Sequence, residues 1–576
     1  MPKRSGAVHV ATIRTKGAGD RTYTSYLLRR SYREGGRVRH ENLGNLSHLP
    51  LEAIEAVRRV LAGETLVAAR DRFSVERSLP HGHVVAVLGM VRALDLERLL
   101  SREPSRERDL VVALVCQRLL AAGSKLSATR RFTKTTLAEE LSLGEVKEAE
   151  LLSALDWLLG RQERIERTLA RRHLAPGSFV LYDLSSSYLE GRACPLAALG
   201  YSRDGKRGKL QITYGLVCSP EGRPVSVEVF PGNTPDHATF PEAVASVTRR
   251  FGIDRVIFVG DRGMLTEAHV KTLKDQEVGF ISALAGPQVK ALAAAGHLQL
   301  SLFDEYDLAE ISADEFPGER LVVCRNPQVA AERARKREAL LRATEADFLK
   351  VRAMVKNPRG RLRRADAGTI GERVGRVSNR YKMAKHFELQ IEDGTFAFAR
   401  KTEQIAREAA LDGLYVLRTT CRKDELQAPA VVRAYKQLKV AERAFRHLKS
   451  PEIEIRPIYH HLEARVRGHV FLCMLAYYVA YELNERLGPL LFRDDAPRAP
   501  AIPVRPAERS PAARRKAGTH LTEDGFCAHS FADLLAELGT LCRNEVRIEP
   551  SGHRFAQLTE PTPLQARAFE LLGLHP

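Results

Sequence analysis

The chain has 576 residues, 44% of them apolar, and carries 90 Lys and Arg against 71 Asp and Glu, a formal charge of +19. This apolar content is enough to bury several cores and excludes a disordered chain, so three to five structural units are expected. The positive excess makes a polyanion the leading partner class, because Lys and Arg displace counterions from phosphates.

No apolar signal-like segment follows the opening Met-Pro-Lys-Arg-Ser, and the longest apolar run, Val470 to Tyr481, is about half the ~20 residues a bilayer crossing needs. A soluble cytoplasmic protein with no membrane association is expected. The eight cysteines are dispersed, with no C-x-x-C pair and no Cys/His cluster at zinc spacing, so they read as reduced, mostly buried thiols.

Residues 1–80 open with short β-type segments, AVHVATIR and RTYTSYLLRRSY, broken by KGAGD and REGGR, before a helix near LPLEAIEAVRRVLAG. They read as a small basic α+β unit. Residues 81–176 are helical almost throughout, as in ERDLVVALVCQRLLAAG and KEAELLSALDWLLGRQERIERTLARRHL. The turn AAGSK between one helix and SATRRF has the form of a helix-turn-helix, although any αα-hairpin reads the same way. Trp157 reads as core.

After Ala175-Pro176-Gly177 the period becomes that of strands, in FVLYD, KLQITYGLVCS, PVSVEVF and RVIFVG, with helices between them. Residues 177–284 thus form the first part of a mixed α/β sheet. Residues 285–412 interrupt it with a long basic helix, the loop NPRGRLRRADAG and a hairpin, FELQIEDGTFAFA. Positions 325–385 hold 18 Lys and Arg against 6 Asp and Glu, an asymmetry that suggests a nucleic-acid arm rather than an ordinary solvated face. In 413–490 the strand GLYVLRTT resumes the sheet. It is followed by YKQLKVAERAFRHLKS, read as one helix, and by the apolar helix RVRGHVFLCMLAYYVAYELNERLG. The Pro, Ala and Arg-rich stretch 491–519 reads as a flexible linker, and 520–576 as a short helical unit that is a candidate for dimerisation.

Three acids stand out. Strand alternation puts Phe179, Leu181 and Asp183 on one face, and an acid on an apolar face must be solvated, paired or metal-bound; an Asp before three serines also caps turns. Asp261 ends the run RVIFVGD, at the strand edge where α/β sheets bind ligands. Glu442 sits among Lys436, Lys439, Arg443, Arg446, His447 and Lys449, and in one continuous helix Tyr435, Glu442 and Lys449 would share a stripe flanked by Lys439 and Arg446. An all-oxygen trio of this kind suits Mg²⁺ or Mn²⁺, two of which can activate a water or a 3′ hydroxyl for attack on phosphorus.

LYDLSSSYLEG, VGDRGM and Y-x2-L-x3-E-x6-K, in this order, resemble the three acid-bearing motifs of DDE transposases of bacterial insertion sequences, in the group whose third motif is Tyr-x2-Arg-x3-Glu-x6-Lys. The resemblance covers about residues 177–485. It implies an α/β, RNase H-like mixed-sheet core with an inserted basic subdomain, preceded by small α+β and all-α DNA-binding units. It further implies Asp183, Asp261 and Glu442 as ligands of two Mg²⁺ or Mn²⁺ ions, and Tyr435 and Lys449 as contacts to phosphates at the element ends. The family's Arg position is Leu438 here; Lys439 and Arg446 are the candidates to replace it. The implied function is hydrolysis of phosphodiesters at inverted-repeat ends and transfer of the 3′ hydroxyls into target DNA. A homodimer or larger assembly would act on double-stranded DNA at the bacterial nucleoid.

PGNTPDHATF, residues 231–240, also resembles a family segment, so Asn233, Asp236 and His237 are either orienting groups or parts of a turn. Tyr459, His460, His461, Arg465 and His469 read as DNA-backbone contacts or as packing. An RNase H-like nuclease, an inactive transposase-derived DNA-binding protein and an architectural nucleic-acid-binding protein are the rival readings, and intact acids at all three positions speak against an inactive copy.

Overall fold

The computed structural model describes residues 6–16, 22–34, 36–64, 72–191, 193–298, 303–357, 366–549 and 551–576. They divide into two compact units, one holding the residues up to Ser78 with Asn544–Leu558, the other Leu79–Arg543 with Thr559–Pro576.

The first unit opens with β1 (Ala7–Lys16), β2 (Thr22–Glu34) and β3 (Arg37–Asn45), an antiparallel sheet, and α1 (Leu51–Leu61). The apolar stripe of α1 buries Ile54, and Arg58 on the same helix donates to the Thr12 hydroxyl of β1. The unit combines one helix with the sheet. It is enlarged by a second sheet of order β16-β15-β4, from β4 (Arg72–Pro80), β15 (Cys542–Glu549) and β16 (His553–Leu558). The C-terminal stretch expected to be helical therefore contains a hairpin as well.

The second unit begins with α2 (Gly82–Ala93), α3 (Leu96–Leu100), α4 (Arg106–Ala121), α5 (Lys125–Arg131), α6 (Leu137–Glu140), α7 (Glu148–Leu159) and α8 (Gln162–His173). Ser105 and Ser124 start α4 and α5 by accepting the N–H groups of Arg108 and Ser127. The two helices turn through 86°. Trp157 is half-buried, with the Arg161 guanidinium 3.8 Å from its ring centroid.

Next come β5 (Phe179–Tyr188), β6 (Gln211–Cys218), β7 (Pro224–Pro231), α9 (Asp236–Ala245), β8 (Ile257–Gly260), α10 (Glu267–Asp275), β9 (Gly279–Ala283), α11 (Gly286–Ala294), β10 (Leu308–Ile311) and β11 (Arg320–Arg325). After a subdomain of α12 (Pro327–Lys356), α13 (Ala367–Tyr381), β12 (Phe387–Glu392), β13 (Thr395–Arg400) and α14 (Thr402–Ala409), the chain re-enters the sheet as β14 (Leu414–Thr419). It continues as α15 (Ala428–Lys436), α16 (Leu438–Lys449), α17 (Glu463–Arg486), α18 (Pro511–Thr519), α19 (Phe531–Gly539) and α20 (Pro563–Leu572).

The strand order is β10-β11-β14-β9-β8-β5-β6-β7. β5, β6 and β7 form an antiparallel meander, β8 runs parallel to β5, and β9 parallel to β8. This is an eight-stranded mixed sheet. β6 is buried at all eight positions because both faces of the sheet are covered there. One of the covering helices, α17, packs against β7, α4 and α7 and is buried from Val466 to Leu483 over most of its surface. Gly468 permits the closest approach to α7, since a Cβ there would lie 3.0 Å from the Leu155 carbonyl oxygen. Among the described residues no single helix is long and apolar enough to cross a membrane; α4 together with α5 and the turn that follows it passes as a bent pair on length and composition only.

Three features depart from the sequence reading. β10 and β11, assigned there to the inserted subdomain, belong to the large sheet, where Leu321 to Cys324 are buried. The insertion proper is α12 to α14 with its hairpin, and it has its own small core around Phe348. Many of its cations are paired internally: Arg337 with Asp412, Arg342 with Glu338, Lys350 and Arg380 with Asp347, and Arg376 with Glu372. Residues 358–365 of the basic loop lie outside the described residues. Third, 491–519 is packed rather than free. Val504 is buried, its carbonyl accepts from Asn326 at 2.8 Å, and Lys516 is buried against the Leu491 carbonyl at 2.8 Å. Prolines restrict the unfolded chain, and one at the start of α18 behind the Ser510 cap favours the helix, so a Pro-rich composition here marks order. All eight cysteines are free thiols, six of them buried.

On β14, Arg418 forms a two-point ion pair with Glu319 at 2.6 and 2.7 Å, both side chains about 5% exposed, with Phe280 and Phe316 against the guanidinium. Glu319→Gln leaves that guanidinium buried without a counter-charge and is expected to cost about 3 kcal/mol, read as a lower urea midpoint at unchanged slope. A shift below ~0.5 kcal/mol would mean that water reaches Arg418.

Candidate active site

β5 and β8 are parallel and in register up to Tyr182 opposite Gly260. The residues that follow are Asp183, midway along β5, and Asp261, just past the end of β8, so the sheet sets these two acids side by side where the parallel pairing stops. Asp183 shares its face of β5 with Ser185 and Ser187; the Ser187 hydroxyl is 3.0 Å from that of Tyr214, and Phe445 of α16 stands edge-on to the Tyr214 ring, 5.6 Å between centroids. Asp183 therefore lies on the face that α16 covers. Tyr182 points the other way, onto Phe240 of α9. Gly215 leaves room for its ring, because a Cβ there would fall 2.4 Å from the Tyr182 oxygen.

Each acid is held differently. Asp183 accepts the N–H of Leu184 at 2.8 Å and is half-buried. Burial, chiefly, with the added repulsion of Asp261 and Glu442, pushes its carboxyl up to about 7, against the Leu184 N–H and Arg203. Asp261 is exposed. Its Oδ1 accepts from the Arg262 N–H at 2.7 Å and from the Tyr435 hydroxyl at 3.2 Å, and its carbonyl accepts from Ser282 of β9 at 3.1 Å. Glu442 is exposed on α16, whose Ala441, Ala444, Phe445 and Leu448 face the core.

The helix read as continuous from Tyr435 to Lys449 is two helices, α15 and α16, joined at Gln437. Tyr435 therefore approaches the site from α15, and its hydroxyl goes to Asp261; burial and that carboxylate raise its pKa. Lys439, Arg443 and Arg446 are exposed beside Glu442 and form no ion pair among the described residues. Lys449 is placed otherwise. It is 2.7 Å from Asp204, which is 1% exposed and also lies 2.7 Å from Arg456 and accepts the Tyr188 N–H at 3.3 Å. Leu438 is buried at the start of α16.

The 231–240 segment contains both a turn and an orienting group. Thr234 N–H closes a turn onto Pro231 while Asn233 and His237 are exposed, and Asp236 pairs with Arg203, the cation that acts on Asp183. Arg203 and Asp204, in the loop YSRDGKRG, were not singled out from sequence. Their only signal was a clustering of charge and glycine between two β-type segments.

Among the described residues no three His, Cys, Asp or Glu side chains close into a metal cage. The acids form an open cluster from the middle of β5, the turn after β8 and one face of α16. Its donors are all carboxylate oxygens, and the repulsion felt by Asp183 is what a divalent cation would relieve, so the residues fit Mg²⁺ or Mn²⁺ in chemistry and charge.

Residues 192–479 match the family described as Transposase DDE domain, and residues 10–74 the IS1634 family transposase N-terminal domain. The first match contains Asp261 and Glu442 and begins after Asp183. Among solved structures the chain is similar to piggyBac transposase in a cryo-EM structure of its synaptic complex with hairpin DNA, at 10% identity, covering 70% of this chain and 72% of that one, with a TM-score of 0.33. No curated protein matches.

Two outcomes follow from this geometry. An acid whose folded pKa is raised costs stability once pH exceeds its unfolded value, and the cost grows until pH passes the folded value, here from about 4 to about 7. In metal-free buffer Asp183→Asn is therefore expected to melt higher than the parent at pH 8, with the gain vanishing near pH 4; equal melting at pH 8 would show that Asp183 ionises without penalty. Lys449→Ala, which removes one of the two cations from buried Asp204, is expected to cost about 3 kcal/mol in denaturant titration, while the salt dependence of DNA binding by the folded variant stays that of the parent.

Proposed function

We propose, because the chain belongs to the DDE transposase family, that Asp183, Asp261 and Glu442 are the acids with which it cuts the ends of a mobile element and joins them to target DNA. The observation that carries this assignment is the parallel register of β5 and β8, which ends in the two aspartates on the sheet edge nearest α16. These three carboxylates would hold one or two Mg²⁺ or Mn²⁺ ions. When bound, the ions supply Lewis-acid polarisation of the phosphoryl group and a lowered pKa for the attacking oxygen.

The chain's own groups do the rest. The Tyr435 hydroxyl and the Arg262 N–H fix one oxygen of Asp261 and leave its other lone pairs directed away from them. Arg203, held by Asp236, moderates the charge at Asp183 without pairing with it. Lys439, Arg446 and their neighbour Arg443 offer unpaired cations on the face that carries Glu442, and are the residues suited to the scissile strand's phosphates. Lys449 acts through Asp204 as a positioning residue for α16.

In hydrolysis a water oxygen bonds to phosphorus, the 3′ oxygen leaves and takes a proton. In joining, that 3′ hydroxyl becomes the nucleophile and the target strand's own 3′ oxygen leaves. The same acids serve both steps, since only the nucleophile changes. The N-terminal unit and the helical stretch 81–176 would read the inverted repeats, and a dimer or larger assembly would pair the two ends.

The test uses linear DNA carrying the terminal sequences that flank the protein's own gene, with Mg²⁺ and an acceptor duplex. The parent is expected to release 3′ hydroxyl ends and join them. Asp183→Asn, Asp261→Asn and Glu442→Gln should each lose at least a thousandfold in rate while retaining DNA affinity. Full cleavage by any one of them would remove that acid from the site. Cleavage by the parent without joining would favour the nuclease reading instead.

A further inference from the structure

A cavity of about 310 Å³ opens beside the turn between α4 and α5, walled by the segment before α17 and by the first turns of that helix. Arg118, Lys125, His460, His461, Arg465 and His469 line it, with Glu148 and Glu454 the only acids. It lies apart from the three carboxylates. Ile458 bridges Leu189, and the Glu190 N–H donates to Ile458 at 2.9 Å, so the cavity borders the far end of the strand that carries Asp183. Six residues of strand rise put it about 20 Å from that acid along β5.

Among the described residues the two most buried cations of this cavity have no carboxylate partner. Lys125 is 5% exposed, and among the described residues its ammonium touches no carboxylate and has His469 Nδ1, at 3.0 Å, as its one polar neighbour. His469 donates from Nε2 to the Ile455 carbonyl at 3.1 Å, which fixes Nδ1 as the acceptor and leaves the remaining Lys125 N–H groups for the cavity. Arg118, also 5% exposed, is spent on two carbonyls, those of Ile453 and Glu454 at 3.2 and 3.3 Å. Arg465 is 3.6 Å from Asp156, and its buried Nε has no hydrogen-bond partner. Burying cations together without an anion is costly, and the fold pays here by suppressing charge. Burial, with Lys125 and Arg118, pushes the His460 imidazole down to about 3.

A metal ion does not fit, because both nitrogens of His469 are engaged and no three ligating side chains converge among the described residues. An anion does. We infer that this cavity is a phosphate site, in which Lys125, Arg465 and the adjacent imidazoles seat one phosphodiester of the DNA strand that enters the active site. The inference depends on the transposase reading only for the source of the phosphate. At ~3.4 Å per nucleotide, 20 Å corresponds to about six nucleotides between the seated phosphate and the scissile one. A point charge in a walled cavity, rather than a row of surface lysines, would fix the register of the strand as well as its affinity.

The test has two arms on the full-length protein. In the first, inorganic phosphate is titrated against chloride at matched ionic strength, and melting is followed for the parent, Lys125→Met, Arg465→Ala and Asp183→Asn. Phosphate is expected to raise the melting temperature of the parent and of Asp183→Asn, and to leave the two cavity variants unmoved. In the second, duplex affinity is measured against salt: Arg465→Ala should bind about tenfold more weakly, with a log–log slope shallower by about one. Equal phosphate response in parent and cavity variants overturns the site. Loss of the phosphate response with unchanged duplex affinity and slope overturns DNA as its source. If Lys125→Met fails to fold, Arg465→Ala, at the rim, still decides. Loss of cleavage alone bears on the acids and leaves both readouts intact.

Discussion

Parallel pairing of β5 with β8 sets Asp183 beside Asp261, and α16 closes over Asp183 from the other side, so one carboxylate is desolvated while facing two others. Left alone, such a group keeps its proton to near neutral pH; the alternative is a cation between the acids. Much of the surrounding structure follows from keeping that position strained but soluble. The cations nearest to it are either tied elsewhere, as Arg203 is to Asp236, or stand on the exposed side of α16, where they cannot collapse onto Asp183. A fully formed salt bridge at Asp183 would compete with the divalent ion proposed for it.

The position of α16 depends in turn on a second buried acid. Asp204 is almost fully enclosed and draws Lys449 from the end of α16, Arg456 from the segment after it, and the last N–H of β5. Breaking a pair of this kind is expensive because a charge is left without solvent, so the hub behaves as a rigid pin. It fixes the helix at its C-terminal end, while Phe445 on Tyr214 fixes its middle. Glu442 lies within that clamped stretch, one residue from buried Ala441. The loop with Arg203 and Asp204 thus reaches two acids by different routes, one through charge and one through position.

The strands themselves were legible in the sequence. FVLYD and RVIFVGD are runs of β-formers; the second ends at its acid, but β5 continues through the serines to Tyr188, so Asp183 stands midway along it. The exposed cationic face of α16 was legible for the same reason, since Lys439, Glu442 and Arg446 sit on one side of a helix with a clear apolar stripe. The pairings at long range were not. Lys449 has the spacing of a surface residue, and nothing local says that a partner 245 positions earlier will bury it. The join at Gln437 was also invisible, because no Gly or Pro marks it and Gln437 keeps helical dihedrals, φ −64° and ψ −18°. The packing of 491–519 was masked by composition, because Pro and Ala spell a linker only when nothing apolar such as Val504 interrupts them.

Leu438 shows what the departure from the family's arginine does. It is the first residue of α16 and buried, at the positive end of the helix dipole, where a guanidinium would be both desolvated and repelled. Around it the cations outnumber the acids. No acidic residue occupies the first turn, Arg433 and Lys439 are exposed, and Lys436, pressed by burial and by Lys439, has its pKa pushed down to about 8 while donating to the Arg505 carbonyl. Replacing the arginine by leucine takes one charge out of a place where charges already repel. The positive charge then lies on the exposed outer turns of α15 and α16, outside the core, as the proposed contact with a phosphate backbone requires.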